Sequence, residues 1–206
     1  MKIFIGYDRR QTVAFQVLAH SIWKRASKPV SITRLDINQL PLRRKGLTEF
    51  TYSRYLVPYL CNYEGKALFM DADMLCLSDI TQLFDIDPFK VNVVMSKHQY
   101  EWPSLMLFNN AECRELTPEF IETGSPQKWI IENAMGIQKN WNHIVPYDGL
   151  NPDAKIVHYT QGIPCFEETK NCEYATHWQK EAQECMSTVS WEAIMGNSVH
   201  KELMGL

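Results

Sequence analysis

The chain has 206 residues, 45% hydrophobic and 22% charged, with 21 Lys plus Arg against 24 Asp plus Glu. That length fits one domain with enough buried surface for a core, and the composition excludes disorder as the dominant state. A net charge of −3 argues against nucleic acid as a partner, since the only tight basic run is Arg43-Arg44-Lys45, with a pair at Arg9-Arg10.

Residues 2–5 read as a buried strand stopping at Gly6. Residues 11–24 carry Val13, Val17, Leu18 and Ile22 at helical spacing. Residues 30–35 alternate as a strand, and 37–48 read as loop. Residues 52–60 resume helical periodicity, with Pro58 expected to end or kink the helix. Residues 66–71 form a short apolar run that ends in a carboxylate. A helical turn is expected over 79–83 and strands over 91–96 and 104–109, joined by the aromatic loop 98–102. Helices are expected over 117–121 and 127–135, and a last strand over 155–159. Two terminal helices complete the reading, at 174–186 and 190–204. The alternation of strands and helices predicts an α/β layer fold with a largely parallel sheet. Ligands collect at the carboxyl ends of such strands. Three ends stand out: Gly6-Tyr7-Asp8, Asp71-Ala72-Asp73 and His158.

The carboxylate pair in F-M-D-A-D-M-L offers two hard oxygen ligands suited to Mg²⁺ or Mn²⁺, especially beside a diphosphate. A D-x-D arises readily by chance, and Asp85-Ile86-Asp87 is a second one in this chain. Context separates the two. Asp85 and Asp87 follow a helical turn and precede Pro88, as solvated loop residues do. Asp71 ends an apolar strand, where a carboxylate needs a cation or several hydrogen bonds. His158 ends I-V-H-Y and is either a satisfied structural histidine or a third ligand, in which case its imidazole favours Mn²⁺. Gly162 follows and permits close backbone approach to a phosphate.

Three segments together resemble the retaining nucleotide-sugar glycosyltransferases of family 8, which have a GT-A fold. They are I-F-I-G-Y-D; F-T-Y-S-R-Y-L-V-P-Y-L followed by K-A-L-F-M-D-A-D-M-L; and I-V-H-Y-T-Q-G-I-P-C-F. W-P-S-L-M-L-F-N is similar to the strand lining the family's donor-sugar pocket, and W-N-H at 141–143 to its L-P-x-x-W-N segment. The resemblance covers residues 1 to about 178. It implies a GT-A, Rossmann-like mixed sheet flanked by helices, in a single domain over 1–206 with 179–206 a C-terminal helical extension. It implies that Asp8 and Tyr7 contact the uracil or ribose, and that Asp71, Asp73 and His158 ligate Mn²⁺, with Mg²⁺ the alternative. Arg54 touches the donor sugar or its phosphate, and the Gly162 backbone approaches the diphosphate. Gly6, Ala72 and Ser104 complete the donor-binding set, and Asp71, Asp73 and Arg54 the catalytic one. The implied reaction moves a hexose from a UDP-sugar to a carbohydrate or other hydroxyl acceptor with retained configuration.

Two departures bear on turnover. Ile163-Pro164-Cys165-Phe166 stands where the family has Lys before Pro-Trp, leaving Arg9, Lys155 or Lys170 to neutralise the diphosphate. G-S-P-Q-K-W at 124–129 lies where the family has D-Q-D. A catalytically inactive nucleotide-sugar-binding module is therefore one alternative reading. A phosphatase of the haloacid dehalogenase type, with its own strand-end D-x-D, is another.

The aromatic content of 12% reads as a thick core or as a site for ring-shaped ligands, with Tyr100, Trp102 and Trp141 nearest the pocket segments. The six cysteines form no C-x-x-C pair, and the N-terminus reads as a strand rather than a secretory segment. No apolar run nears the roughly 18 residues of a membrane span. The expectation is a cytoplasmic protein with reduced thiols. Trp191, Ile194, Met195, Val199, Leu203 and Met204 have helical spacing, for docking on the core or for a homodimer contact.

Overall fold

A computed structural model describes residues 1–97 and 99–187. Its frame is a six-stranded sheet in the order β2-β1-β3-β6-β5-β7. The strands are β1 (Lys2–Gly6), β2 (Ser31–Leu35), β3 (Lys66–Met70), β5 (Val91–Val93), β6 (Leu105–Asn109) and β7 (Ala134–Gly136). A second, three-stranded sheet has the order β4-β9-β8, from β4 (Met74–Cys76), β8 (His143–Val145) and β9 (Ile156–Tyr159).

β1 and β3 are near-continuous apolar runs because both faces of the sheet are covered. Ile3, Ile5, Leu68 and Met70 join one core cluster, and Phe4, Ala67 and Phe69 the other. The helix α1 (Thr12–Arg25) lays Ala14, Val17, Leu18 and Ile22 on the first cluster. Val13, expected on the same face, is 45% exposed. α5 (Ala175–Ser187) docks beside α1 through Trp178 and Ala182. The Glu181 carboxylate is buried there, 2.6 Å from His20 Nδ1 and 2.7 Å from Arg25 Nη2.

The sheet is mixed rather than largely parallel. β1 is parallel to β2 and β3, whereas β6 runs antiparallel to β3 and β5. Residues 94–104 join β5 to β6 and fall short of the dozen or so that a parallel crossover needs, so β6 must return antiparallel. Three strands were not anticipated, namely β4, β7 and β8, each three residues long and too short to show a period. α4 (Pro126–Asn133) stops before Met135 because Ala134–Gly136 pairs with β5 instead. Pro58 does not end its helix. It sits in the first turn of α2 (Val57–Leu60), where a missing N–H costs nothing. α3 (Pro118–Thr123) starts at a Thr117 cap, near its expected place. The helix expected over 190–204, and the contact it was to make, lie outside the described residues.

Candidate active site

Strand pairing assembles the site. Parallel register sets Ile5 of β1 against Met70 of β3, so Gly6-Tyr7-Asp8 leaves the sheet beside Asp71. β6 returns on the other side with Leu105 opposite Met70, and Asp71 N–H donates to the Ser104 carbonyl at 2.8 Å. β4 starts directly after Asp73 and pairs antiparallel with β9, Met74 opposite His158. Tyr159 N–H donates to the Asp73 carbonyl at 2.9 Å. The second sheet thus carries His158 to the carboxylate pair.

Ligand-capable atoms of Asp71, Asp73 and His158 all lie within 4.8 Å of one another. His158 Nε2 is 3.3 Å from Asp73 Oδ1, and Arg54 Nη1 is 3.1 Å from Asp71 Oδ1. Both of those carboxylate oxygens are shut off from solvent, and neither accepts a hydrogen bond of good geometry. Such lone pairs are costly to bury. Two carboxylates and an imidazole are a donor set that fits a divalent cation. The titration behaviour agrees. Burial pushes the Asp71 carboxyl up to about 7, against Arg54 and reinforced by the Asp73 charge. Burial works against a charged His158, but Asp73, Asp71 and Glu101 outweigh it and its pKa is raised. Protons are drawn to a cluster short of positive charge.

Arg54 is committed to this cluster. Besides Asp71, it donates to the Pro103 carbonyl at 3.1 Å, and its guanidinium lies 5.3 Å from the Phe69 ring centroid. Its side chain is only 12% exposed, and it buttresses Asp71. Asp8 is buried and bound by Arg10, whose Nε donates to it at 2.9 Å. The Arg10 side chain, with burial opposing, holds the Asp8 carboxyl down to about 2. Tyr7 is also buried, with Arg34 4.4 Å from its ring centroid. Gly6 has no room for a side chain, since a Cβ there would meet the Phe50 ring at 2.6 Å. Ala72 is buried in the first core cluster. Gly162 has φ +115°, a conformation L side chains rarely adopt.

Lys155 is removed from the diphosphate question. It lies before β9, at the opposite end from His158, where its Nζ bonds Gln82 Oε1 at 2.9 Å and covers the Trp141 ring. Trp141 is a core residue, 4% exposed, and Trp102 donates to the Ser96 carbonyl, leaving Tyr100 as the exposed aromatic of the three. Asp85 and Asp87 are exposed and pair with Lys28 and Lys66, as a solvated loop requires. Arg44 donates to the Ile121 and Gly124 carbonyls at 2.9 and 2.8 Å, while its neighbours help line a cleft of about 580 Å³ with Arg9 and Arg10.

Two residues of the site were not singled out from the sequence. Glu101 brings a third carboxylate, its Oε2 4.0 Å from His158 Nδ1. Asn142 is buried with its Oδ1 3.1 Å from the same nitrogen. The available signals were a charge set between Tyr100 and Trp102, and an amide inside W-N-H.

A mixed sheet of this kind matches the GT-A fold of solved glycosyltransferases. The model of glycosyl transferase family 8 matches residues 5–123. Protein CDI of Arabidopsis thaliana is 34% identical, over 89% of this chain and 86% of that protein. Among solved structures, the galactosyltransferase LgtC with donor and acceptor sugar analogues superposes with a TM-score of 0.60 at 14% identity, over 89% of this chain and 96% of LgtC. GlyE of Streptococcus pneumoniae TIGR4 gives 0.68 at 16%, over 88% of this chain and 60% of GlyE. The bifunctional glycosyltransferase WbbM gives 0.68 at 14%, over 91% of this chain and 51% of WbbM. The chain thus spans about half of WbbM. It belongs to glycosyl transferase family 8 and is a glycosyltransferase. The phosphatase reading falls with that membership. Among the described residues, no helix is long and apolar enough to cross a membrane.

Proposed function

We propose that this glycosyltransferase moves a hexose from a UDP-sugar to a hydroxyl acceptor with retained configuration, with Mn²⁺ held by Asp71, Asp73 and His158 and Mg²⁺ as the alternative ion. The observation that carries the reading is the grouping of Asp71, Asp73 and His158 within 4.8 Å, with a buried oxygen on each carboxylate that accepts no well-formed hydrogen bond. A cation bound there would supply Lewis-acid stabilisation of the diphosphate as it leaves. Arg54 opposes protonation of Asp71 and orients it. The Gly162 turn brings backbone close to the diphosphate, and Arg9 or Lys170 takes the part of the family's lysine. Asp8 and Tyr7 shape the nucleotide end, with Gly6, Ala72 and Ser104 around them. The reading treats 1–206 as one domain, with 179–206 a C-terminal extension.

Retention is assigned to a front-face route. The anomeric carbon–phosphate oxygen bond breaks, the acceptor oxygen bonds on the same face, and the acceptor's proton passes to the departing phosphate. A panel of uridine nucleotides and UDP-hexoses, with and without Mn²⁺, tests the donor and the ion together through thermal shift and UDP-sugar hydrolysis. Stabilisation by UDP only with Mn²⁺, and slow hydrolysis of one UDP-hexose, are expected. No shift with any uridine nucleotide would sink the donor assignment. Binding without turnover across many acceptors would favour the inactive module.

A further inference from the structure

His158 ends a short buried chain of hydrogen bonds that runs from the Glu101 carbonyl through Ser104 and Asn142, and that chain leaves little freedom for its protons. The Ser104 hydroxyl donates to the Glu101 carbonyl at 2.5 Å. A serine has one proton, so toward Asn142 the same oxygen can only accept. It does so from Asn142 Nδ2 at 2.8 Å. The amide is thereby oriented, its NH₂ toward Ser104 and its Oδ1 toward His158 Nδ1 at 3.1 Å. A carbonyl oxygen only accepts, so Nδ1 must carry a hydrogen. Ser104, Asn142 and His158 are each 1% exposed, so bulk solvent has no easy access to rearrange the chain. Asp73 faces the other ring nitrogen, Nε2, and Glu101 lies 4.0 Å from Nδ1.

We propose that Asn142 is a positioning residue, which fixes a proton on His158 Nδ1 and keeps Nε2 aimed at Asp73 as the ring's ligating nitrogen. The proposal rests on the reading of Asp71, Asp73 and His158 as a metal site. Without metal, Nε2 stands 3.3 Å from Asp73 Oδ1. A bound cation would be shared by these two groups, while Nδ1–H stays on Asn142. Ligating histidines are commonly oriented in this way by a partner on the second nitrogen, and losing the partner typically costs about 10–100-fold in metal affinity. Ser104 acts one bond further out, by choosing which end of the amide faces the ring.

The test has a part that needs no metal. Long-range ¹H–¹⁵N spectra of imidazole-labelled protein, with His158 assigned by comparison with His158→Gln, report which ring nitrogen is protonated. Nδ1 is expected to be protonated in the metal-free protein and again with diamagnetic Mg²⁺. An Nε2–H ring with bare Nδ1 in the metal-free protein would overturn the proposal, whatever the metal does. In titrations followed by calorimetry, Asn142→Leu should bind Mn²⁺ about 10–100-fold more weakly. Asn142→Asp, which keeps an acceptor for Nδ1–H, should retain the Nδ1–H signature and recover most of the affinity. A folded Asn142→Leu protein with wild-type Mn²⁺ affinity would also overturn it. Wild-type protein with Nδ1 protonated but no affinity for any divalent ion would support the proton assignment while ending the metal reading.

Discussion

Arg54 and Asp71 meet at 3.1 Å, with each side chain only 12% exposed. The helical segment over 53–60 and the end of β3 are thus joined by an ion pair largely removed from water. Removing one member of such a pair leaves the other charge buried without compensation, a loss of about 3–5 kcal/mol. Arg54→Ala is expected to fall near the lower end of that range in urea denaturation without metal, because Asp71 can protonate. Adding Mn²⁺ should restore part of the loss. An Arg54→Ala protein as stable as wild type in the absence of metal would show that the pair does not support the fold.

The metal reading makes a separate prediction. A ligand at 100 times its dissociation constant adds about 2.7 kcal/mol to the native state. Wild-type protein titrated with Mn²⁺ should show a corresponding rise in melting temperature. Asp73→Asn and His158→Gln should show little or none, while melting as cooperatively as wild type in chelator.

Glu101 supplies a carboxylate for a covalent alternative to the front-face route. If the route is front-face, Glu101→Gln should keep measurable turnover, and mass spectrometry of quenched reactions should find no sugar–protein adduct. A trapped adduct on Glu101 in wild-type enzyme would replace the front-face route with a double displacement.

Glu181 gives the α1–α5 contact a pH dependence. Burial raises its pKa, but Arg25, His20 and Lys24 more than compensate, and the net shift is below the ordinary 4.5. With the folded value depressed, its stabilisation is fully present above the unfolded pKa and is lost as pH falls through the folded one. Stability should therefore decline from about pH 4.5 downward. Glu181→Gln should cost about 2 kcal/mol at neutral pH and flatten that limb of the curve, as followed by urea midpoints across pH.

Gly162 should not tolerate a side chain. An added Cβ would lie 3.1 Å from the Phe166 ring, and φ +115° is strained for any L residue. Gly162→Ala is expected to cost about 1–3 kcal/mol. The double variant with Phe166→Ala should regain little of it, because the backbone strain remains. Recovery in the double variant would mean that the ring contact, not the backbone, governs.

Much of this protein was determined by local sequence. The apolar runs of β1 and β3, the apolar face of α1 and the contrast between Asp71-Ala72-Asp73 and Asp85-Ile86-Asp87 are all set by neighbours within a few residues. For the same reason they could be read before any fold was known. Tertiary structure decided the rest. β4 and β8 are three residues each and become strands only because β9 lies between them. That pairing turns His158 from a lone histidine into a partner of Asp73. Likewise, Trp141 was drawn into the core, and the Lys155 ammonium to Gln82, by contacts distant in sequence. Arg54 faces a carboxylate 17 residues away, and Asn142 reaches Ser104 across 38. Burial and partner choice for polar groups come from long-range packing, which no local period records.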